Sequence, residues 1–171
     1  MIISVTGTPG TGKTAVAREL ASVLSYEYVD LNSLASDKGL VTGTDPVRGS
    51  RIVDEEKLSD LELPENCVVD GHLSHYVKPD FIVVLRTRPD QLKERLLKRE
   101  WPPRKIQENV EAEILGVCSS ESQGTGKKMV EFDTSDKDPE RSAKIIKSII
   151  VNNKSACEID WLEDYEHMLE R

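Results

Sequence analysis

The fold of this 171-residue chain is decided by the stretch Gly7-Thr8-Pro9-Gly10-Thr11-Gly12-Lys13-Thr14. A short apolar run, Ile2 to Thr6, precedes this stretch, and apolar residues at helical spacing follow it. Glycines at this spacing let the backbone turn so that several N–H groups converge, which forms an anion site at a helix N-terminus. The pattern therefore predicts a strand, a phosphate-binding loop and a helix. A glycine-rich turn without a ligand is the alternative.

Two side chains of this loop have predicted roles in binding a nucleoside triphosphate. Lys13 is expected to reach the β- and γ-phosphates as a point charge, and the Thr14 hydroxyl is expected to bind Mg²⁺. A GTPase would need an Asn-Lys-x-Asp motif after a later strand, but Asn153-Lys154 is followed by Ser155 and Ala156. The motif leaves ATPases and small-molecule kinases open, and the chain is too short for most motor ATPases.

Strand-like and helix-like patterns alternate along the rest of the chain. Cys67 to Asp70 and Phe81 to Leu85 are continuous apolar runs, which is typical of strands covered on both faces. Pro89 is expected to open a helix. Apolar residues at helical spacing predict the buried faces of three helices. The first face has Leu92, Leu96 and Leu97, the second has Ile106, Val110, Ile114 and Val117, and the third has Ala143, Ile146 and Ile150. The alternation predicts an α/β P-loop NTPase fold, a mostly parallel sheet flanked by helices, in a single domain over residues 1–171.

Composition narrows the function classes. The net charge is −8 and aromatic residues make up only 5%, so direct binding of nucleic acid is not expected. The three cysteines, Cys67, Cys118 and Cys157, have no metal-binding spacing. No basic leader and no long apolar segment are visible, so the cytoplasm is the expected location and no membrane association is expected.

A second polar site is predicted where the run from Cys67 ends. Asp70 would lie at the carboxyl edge of a central strand, where ligands bind in open α/β sheets, and its carboxylate would bind Mg²⁺ or orient an attacking group. The alternative is a turn or helix cap. His72 is a candidate for positioning a water or a phosphate, with a turn hydrogen bond as the alternative. His75 is expected at the surface.

The segment from Arg86 to Lys105 is basic in an acidic chain, with eight Lys or Arg against three acidic residues. Arg95 and Arg99 are four apart, and the prolines after Trp101 end the helix. Arginines there are expected to close over the transferring phosphoryl group as a lid, with Arg99 the first candidate, followed by Arg95 and Arg104. The alternative is a solvated helix face.

The C-terminal part from Ser155 to Arg171 is acidic but has an apolar side. The residues on that side are Ile159, Trp161, Leu162, Tyr165 and Leu169. This pattern favours an amphipathic helix that docks on its own domain, with docking on a partner as the alternative.

These motifs together resemble the adenylate kinase isoenzyme six family, small adenylate kinases linked to maturation of the small ribosomal subunit. The resemblance is carried by GTPGTGKT (Gly7 to Thr14), VDGH (Val69 to His72), VLRTRPDQLKERLLKRE (Val84 to Glu100) and KIQENVEAEI (Lys105 to Ile114). It spans residues 1 to about 150. The Asp-x-His element is the feature that separates this family from larger adenylate kinases.

The resemblance implies specific roles. ATP and Mg²⁺ would be the cofactors, with Lys13, Asp70, His72 and Arg99 catalytic and Thr14 and Asp70 binding the metal. Residues 30–54 would bind the monophosphate and residues 99–109 would form the lid. The ATP-binding residues would be Gly10, Thr11, Gly12, Lys13, Thr14, Ala15, Arg99 and Lys137, with Lys137 near the adenine.

The expected function is transfer of the γ-phosphate of ATP to AMP. The resemblance also implies ATP hydrolysis and binding of a ribosomal protein of the small subunit, so an ATP-driven assembly factor is the second hypothesis. A kinase for a small sugar or hydroxy acid is the third. One departure from the family concerns the acceptor, because Ser36 stands where the family often has a basic residue, for which Lys38, Arg48 or Arg51 would substitute.

Overall fold

A computed structural model describes residues 1–46, 51–154 and 158–169. Arg48 and Cys157 lie outside the described residues, and so does the side chain of Arg51. No helix in the described part of the chain is long and apolar enough to cross a membrane.

A parallel sheet forms the centre of the molecule. Within the described residues its five strands are β1 (Ile2–Gly7), β2 (Glu27–Asp30), β5 (Cys67–Asp70), β6 (Phe81–Arg86) and β7 (Lys128–Asp133). Their order is β2-β5-β1-β6-β7, and every neighbouring pair is parallel. All residues of β5 and β6 are buried, as the continuous apolar runs predicted. The carboxyl ends of β1 and β5 therefore lie side by side, which brings the phosphate loop next to Asp70.

Helices cover both faces of this sheet. Their bounds are α1 (Lys13–Leu24), α2 (Leu31–Asp37), α3 (Glu55–Leu58), α4 (Pro89–Leu97), α5 (Pro103–Ile114), α6 (Val117–Gly124), α7 (Pro139–Val151) and α8 (Leu162–Tyr165). Successive strand residues point to opposite faces, so Ile3, Val5 and Val83 pack with α1 and α7, whereas Val84 packs with α6 on the other face. The predicted α/β fold is confirmed.

Residues between β2 and β5 form an insertion beside the sheet. This insertion contains α2, α3 and a two-stranded antiparallel hairpin of β3 (Val41–Thr44) and β4 (Arg51–Val53). Asp30 begins α2 as its N-cap, because its Oδ1 accepts hydrogen bonds from the N–H groups of Asn32 and Ser33. The insertion covers most of the region that the sequence assigned to monophosphate binding.

Two predictions about helix faces are wrong. Leu97 is 56% exposed because adjacent residues of a helix are about 100° apart, so its side chain leaves the face formed by Leu92 and Leu96. Val117 does not continue the helix of Ile114, because Gly116 adopts a left-handed conformation with φ +63° and separates α5 from α6.

His75 is not at the surface as predicted. It lies in a short 3₁₀ turn, Ser74–Tyr76, that folds back under β1, and only 1% of the residue is exposed. Its Nδ1 lies 3.4 Å from Thr6 Oγ1 and its Nε2 lies 3.7 Å from Glu121 Oε2. Burial lowers the pKa of His75 to about 4, so this histidine is neutral at neutral pH.

The C-terminal segment, residues 158–169, packs on its own domain, as favoured from the sequence. Trp161, Tyr165 and Leu169 contact the apolar cluster formed by α4 and α5. The predicted amphipathic helix is wrong, because the segment contains only the single turn of α8 and a 3₁₀ turn, Glu166–Met168. Leu162 is 42% exposed.

Candidate active site

The phosphate loop connects β1 to α1 with backbone conformations that require glycine. Gly12 has φ +90° and forms the N-cap of α1 without a capping side chain. Gly10 has φ +101°, and a Cβ there would lie 2.7 Å from Leu92 Cδ1. A side chain at position 10 would therefore be strained by its backbone conformation and would displace the Leu92 side chain of α4. The N–H groups of the first turn of α1 have no side-chain cap and are free for an anion.

Lys13 lies across this loop. Its Nζ donates hydrogen bonds to the carbonyl oxygens of Gly7, at 2.8 Å, and Thr8, at 3.1 Å. Burial lowers the pKa of Lys13 below its usual value, and the Arg99 guanidinium acts in the same direction while Asp70 opposes it. The ammonium group is thus held at the mouth of the loop, where the oxygens of a polyphosphate would accept hydrogen bonds from it.

Asp70 and Thr14 meet at the end of β5. Thr14 Oγ1 donates to Asp70 Oδ2 over 2.7 Å, and the Tyr28 hydroxyl donates to the same oxygen over 3.0 Å. Burial raises the pKa of Tyr28, so the phenol keeps its proton for this bond. Thr14 and Asp70 are therefore adjacent, as the sequence predicted.

The arrangement suits Mg²⁺. This ion prefers oxygen ligands and is commonly bound through one or two protein groups together with substrate phosphates and water. The hydroxyl of Thr14 and the carboxylate of Asp70 provide two such oxygens beside the loop. Among the residues that the structure describes, no group of three or more His, Cys, Asp or Glu side chains forms a separate metal site.

His72 is oriented by the phosphate loop itself. Its Nδ1 lies 3.3 Å from the carbonyl oxygen of Gly7. Since a carbonyl oxygen only accepts, Nδ1 carries the proton in this contact and Nε2 remains an acceptor. Burial lowers the pKa of His72, and the nearby Lys13 charge lowers it further, so the imidazole is neutral at neutral pH. Cys118 Sγ lies 3.6 Å from the same Nδ1, and burial raises the pKa of this thiol to about 11.

A cavity of about 720 Å³ opens over these groups. Most of the residues predicted to bind ATP or to act in catalysis line it, namely Gly10, Gly12, Lys13, Thr14, Ala15, Asp70, His72 and Arg99. Arg99 follows the end of α4, and its guanidinium lies 5.8 Å from the centre of the Trp101 ring. The cavity thus brings the loop, the end of β5 and the proposed lid arginine together.

Other predicted residues do not line the cavity in the described part of the chain. The Thr11 side chain is fully buried and donates to the Thr8 carbonyl, so it supports the loop from inside. Lys137 lies with its Nζ 5.6 Å from the Phe132 ring, and its contact with adenine stays a prediction. Arg95 donates to backbone carbonyls, including that of Gly10, and Arg104 pairs with Glu108 at the surface. The lid role predicted for Arg95 and Arg104 therefore finds no support in this arrangement.

The structure also adds a residue that sequence reasoning missed. Arg18 lines the same cavity, together with Asp30 and Asn32 of the predicted monophosphate region, residues 30–54. Arg18 stacks over the Tyr28 ring, with its guanidinium carbon 5.0 Å from the ring centre. Its spacing of four from Thr14 places both on one face of α1, which is a signal that the sequence contains.

The loop, the adjacent carboxylate and the parallel sheet define a P-loop protein. Solved structures agree on the fold. The shikimate kinase from Acinetobacter baumannii superposes with a TM-score of 0.65 at 19% identity, covering 90% of this chain and 94% of that one. The shikimate kinase from Bacteroides thetaiotaomicron gives a TM-score of 0.60 at 18% identity, covering 88% and 98%.

Sequence relatives define the family more narrowly. Residues 3–116 match a family model described as an AAA domain. Proteins named "putative adenylate kinase" are 39% identical in Methanocaldococcus jannaschii, over 96% of this chain and 95% of that protein, and 39% identical in Pyrococcus abyssi, over 99% and 96%. The chain therefore belongs to the AAA-domain family of this model and to the family of these archaeal proteins.

Proposed function

We propose that the protein is an adenylate kinase that transfers the γ-phosphoryl group of ATP to AMP. The observation that supports this most directly is that one cavity is lined both by the phosphate loop and by residues beside the insertion. One side of it is the phosphate loop with Lys13, and the other side carries Arg18, Asp30 and Asn32 near the insertion. The volume of about 720 Å³ lies within the usual range for ligand sites, roughly 300–1,000 Å³. A donor on the loop and an acceptor beside the insertion would therefore face each other.

The reaction needs little covalent chemistry from the protein. An oxygen of the AMP phosphate attacks the γ-phosphorus, the bond from that phosphorus to the β–γ bridging oxygen breaks, and two ADP molecules result. Lys13 and Arg99 would stabilise the charge on the phosphoryl group during transfer. Thr14 and Asp70 would hold Mg²⁺, which supplies charge neutralisation on the phosphates when bound. Positioning of the acceptor by the cavity supplies most of the remaining rate enhancement.

The finer family assignment, to the adenylate kinase isoenzyme six family, rests on the Val69 to His72 motif. Its second activity, ATP hydrolysis, is favoured by one observation. The contact of His72 Nδ1 with the Gly7 carbonyl leaves Nε2 as an acceptor on a neutral ring that lines the cavity. Such a ring can orient a water molecule toward the γ-phosphate. Coupling of this hydrolysis to a ribosomal protein of the small subunit is part of the same proposal.

A coupled assay of ADP formation tests the two activities. Purified protein and Mg·ATP are mixed with AMP, CMP, gluconate or shikimate, or with no acceptor. We expect AMP to raise ADP formation well above the acceptor-free rate and the two hydroxy acids to leave it unchanged. An equal rate with and without AMP would contradict the kinase proposal, and stimulation by shikimate or gluconate would assign a different acceptor class.

A further inference from the structure

A buried carboxylate lies beneath the phosphate loop and outside the cavity. Glu113 on α5 is 1% exposed. Its Oε2 accepts a hydrogen bond from Thr8 Oγ1 at 2.5 Å. Its Oε1 accepts from Arg86 Nε at 2.8 Å, from the Thr87 N–H at 3.1 Å and from Trp161 Nε1 at 3.3 Å. One side chain therefore joins the loop, the end of β6 and the C-terminal segment.

Thr8 connects this carboxylate to Lys13, which faces the phosphate site, and to Thr11 inside the loop. Its carbonyl oxygen accepts hydrogen bonds from Lys13 Nζ at 3.1 Å and from Thr11 Oγ1 at 2.8 Å. The side chain of Thr8 is thus held by Glu113 while its backbone holds Lys13. A shift of Thr8 would move the carbonyl that orients the ammonium group.

The C-terminal segment completes the polar cluster around Arg86. The Ile159 N–H donates to Glu131 Oε2 at 2.6 Å, and the Ile159 carbonyl accepts from Arg86 at 3.0 Å. Arg86 also pairs with Glu131, so two buried carboxylates share one guanidinium. Because a buried carboxylate without enough donors is costly, the N–H groups of Ile159 and Trp161 stabilise this cluster.

We propose that Glu113 is a positioning residue for the phosphate loop and that residues 158–169 act on ATP binding through it. The path runs from Trp161 Nε1 to Glu113, from Glu113 to Thr8, and from the Thr8 carbonyl to Lys13. This inference rests on the ATP-binding part of the proposed function and not on the identity of the acceptor.

A double-mutant cycle tests this path. Glu113→Gln is the obvious variant, but it risks misfolding because it unbalances the charge around Arg86. The cycle therefore uses Thr8→Val, which removes the hydroxyl, and Trp161→Phe, which keeps an aromatic ring but removes the N–H donor. Affinity for Mg·ATP is measured by calorimetry for the wild type, each single variant and the double variant, with thermal unfolding recorded for all four.

Each single change is expected to weaken Mg·ATP binding about three- to tenfold, since each removes a hydrogen bond to a buried charge. The double variant is expected to lose no more than the weaker-binding single variant. Thr8→Ser restores most of the affinity lost in Thr8→Val. Tyr165→Phe is the matched control, because it removes a bond from the same segment to Asp90 without touching Glu113, and its affinity stays at the wild-type value.

Two outcomes would overturn the proposal while leaving the function intact. One is a double variant whose loss equals the product of the two single losses. The other is a set of variants with lower melting temperatures but unchanged Mg·ATP affinity, which would make the cluster merely structural. Failure of the wild type to bind Mg·ATP would instead remove the proposed function itself.

Discussion

The Nδ1 atom of His72 lies 3.3 Å from the carbonyl oxygen of Gly7, so the last residue of β1 orients a side chain that follows β5. The two residues are 65 positions apart in the chain. Their contact joins the start of the phosphate loop to the Asp-x-His element. This relationship determines which imidazole nitrogen is available in the cavity.

ATP hydrolysis without an acceptor is expected to depend on neutral His72. Its pKa lies below the usual value of 6.5, because burial and the Lys13 charge disfavour the imidazolium. The hydrolysis rate should therefore hold its plateau at neutral pH and fall as the pH drops through the lowered pKa. Rates measured from pH 5 to 8 in wild type and His72→Ala check this. A wild-type rate that already halves near pH 7 would contradict the lowered pKa.

The same variant separates the two proposed activities. We expect His72→Ala to reduce acceptor-free hydrolysis about tenfold or more while AMP phosphorylation falls much less, because AMP supplies its own anionic nucleophile. Parallel loss of both rates would show that His72 supports the loop and does not orient water.

Lys13→Ala is expected to reduce kcat/KM for ATP by about two to three orders of magnitude, because the variant loses the positive charge held across the loop. Lys144→Ala serves as the control, since Lys144 pairs with Glu140 on the surface of α7. Both variants are assayed at saturating AMP. Near-normal turnover of Lys13→Ala would mean that the phosphate-binding role of the loop is wrongly assigned.

Arg18 and Arg99 should affect different steps. Removing Arg18 is expected to raise the KM for AMP about tenfold with little change in ATP affinity, because Arg18 lines the cavity on the insertion side. Removing Arg99 is expected to lower kcat more than ATP affinity, because a lid residue acts mainly on the transferring group. Arg104→Ala, at an exposed pair with Glu108, is the control for both. An Arg18→Ala variant with unchanged KM for AMP would exclude that residue from acceptor binding.

Stability should fall in mild acid because of His75. In the folded protein its pKa is about 4, whereas the unfolded chain has the ordinary value of 6.5. The unfolded state therefore binds more protons between these values, and the free energy of unfolding decreases as the pH falls from about 6.5 toward 4. Glu121 offsets little of this, because its side chain is 38% exposed.

The expected loss is about 1 to 3 kcal/mol between pH 7 and pH 4.5. Urea unfolding of wild type and His75→Leu at both pH values measures it, and the quantity of interest is the difference between their pH dependences. Identical pH dependences in the two proteins would show that His75 does not contribute.

The phosphate loop could be predicted because its conformation is local. Positive φ angles at Gly10 and Gly12 follow from the lack of a Cβ, and the burial of β5 and β6 follows from their unbroken apolar runs. The alternation of strands and helices likewise restricts the sheet to a parallel arrangement. Asp70 could be placed at the carboxyl edge of the sheet on these grounds, whereas the pairing of β5 with β1 brings it beside the loop.

Other features depended on the tertiary structure. From the sequence, His75 is expected at the surface, but the turn after Asp70 folds back under β1 and buries it. The basic pattern around Arg95 suggested a lid, whereas its guanidinium bonds backbone carbonyls of the loop and of residues 134 and 135.

The sequence by itself determined the strand–loop–helix unit and the place of Asp70 at the carboxyl end of its strand, since these follow from glycine geometry and from an unbroken apolar run. The tertiary structure alone decided that Glu113 supports Thr8, a residue 105 positions away, and that Trp161 reaches the same carboxylate. The physical reason is that a buried charge is stabilised by whichever donors the packing of distant segments brings within hydrogen-bonding distance, and local residue patterns do not encode that proximity.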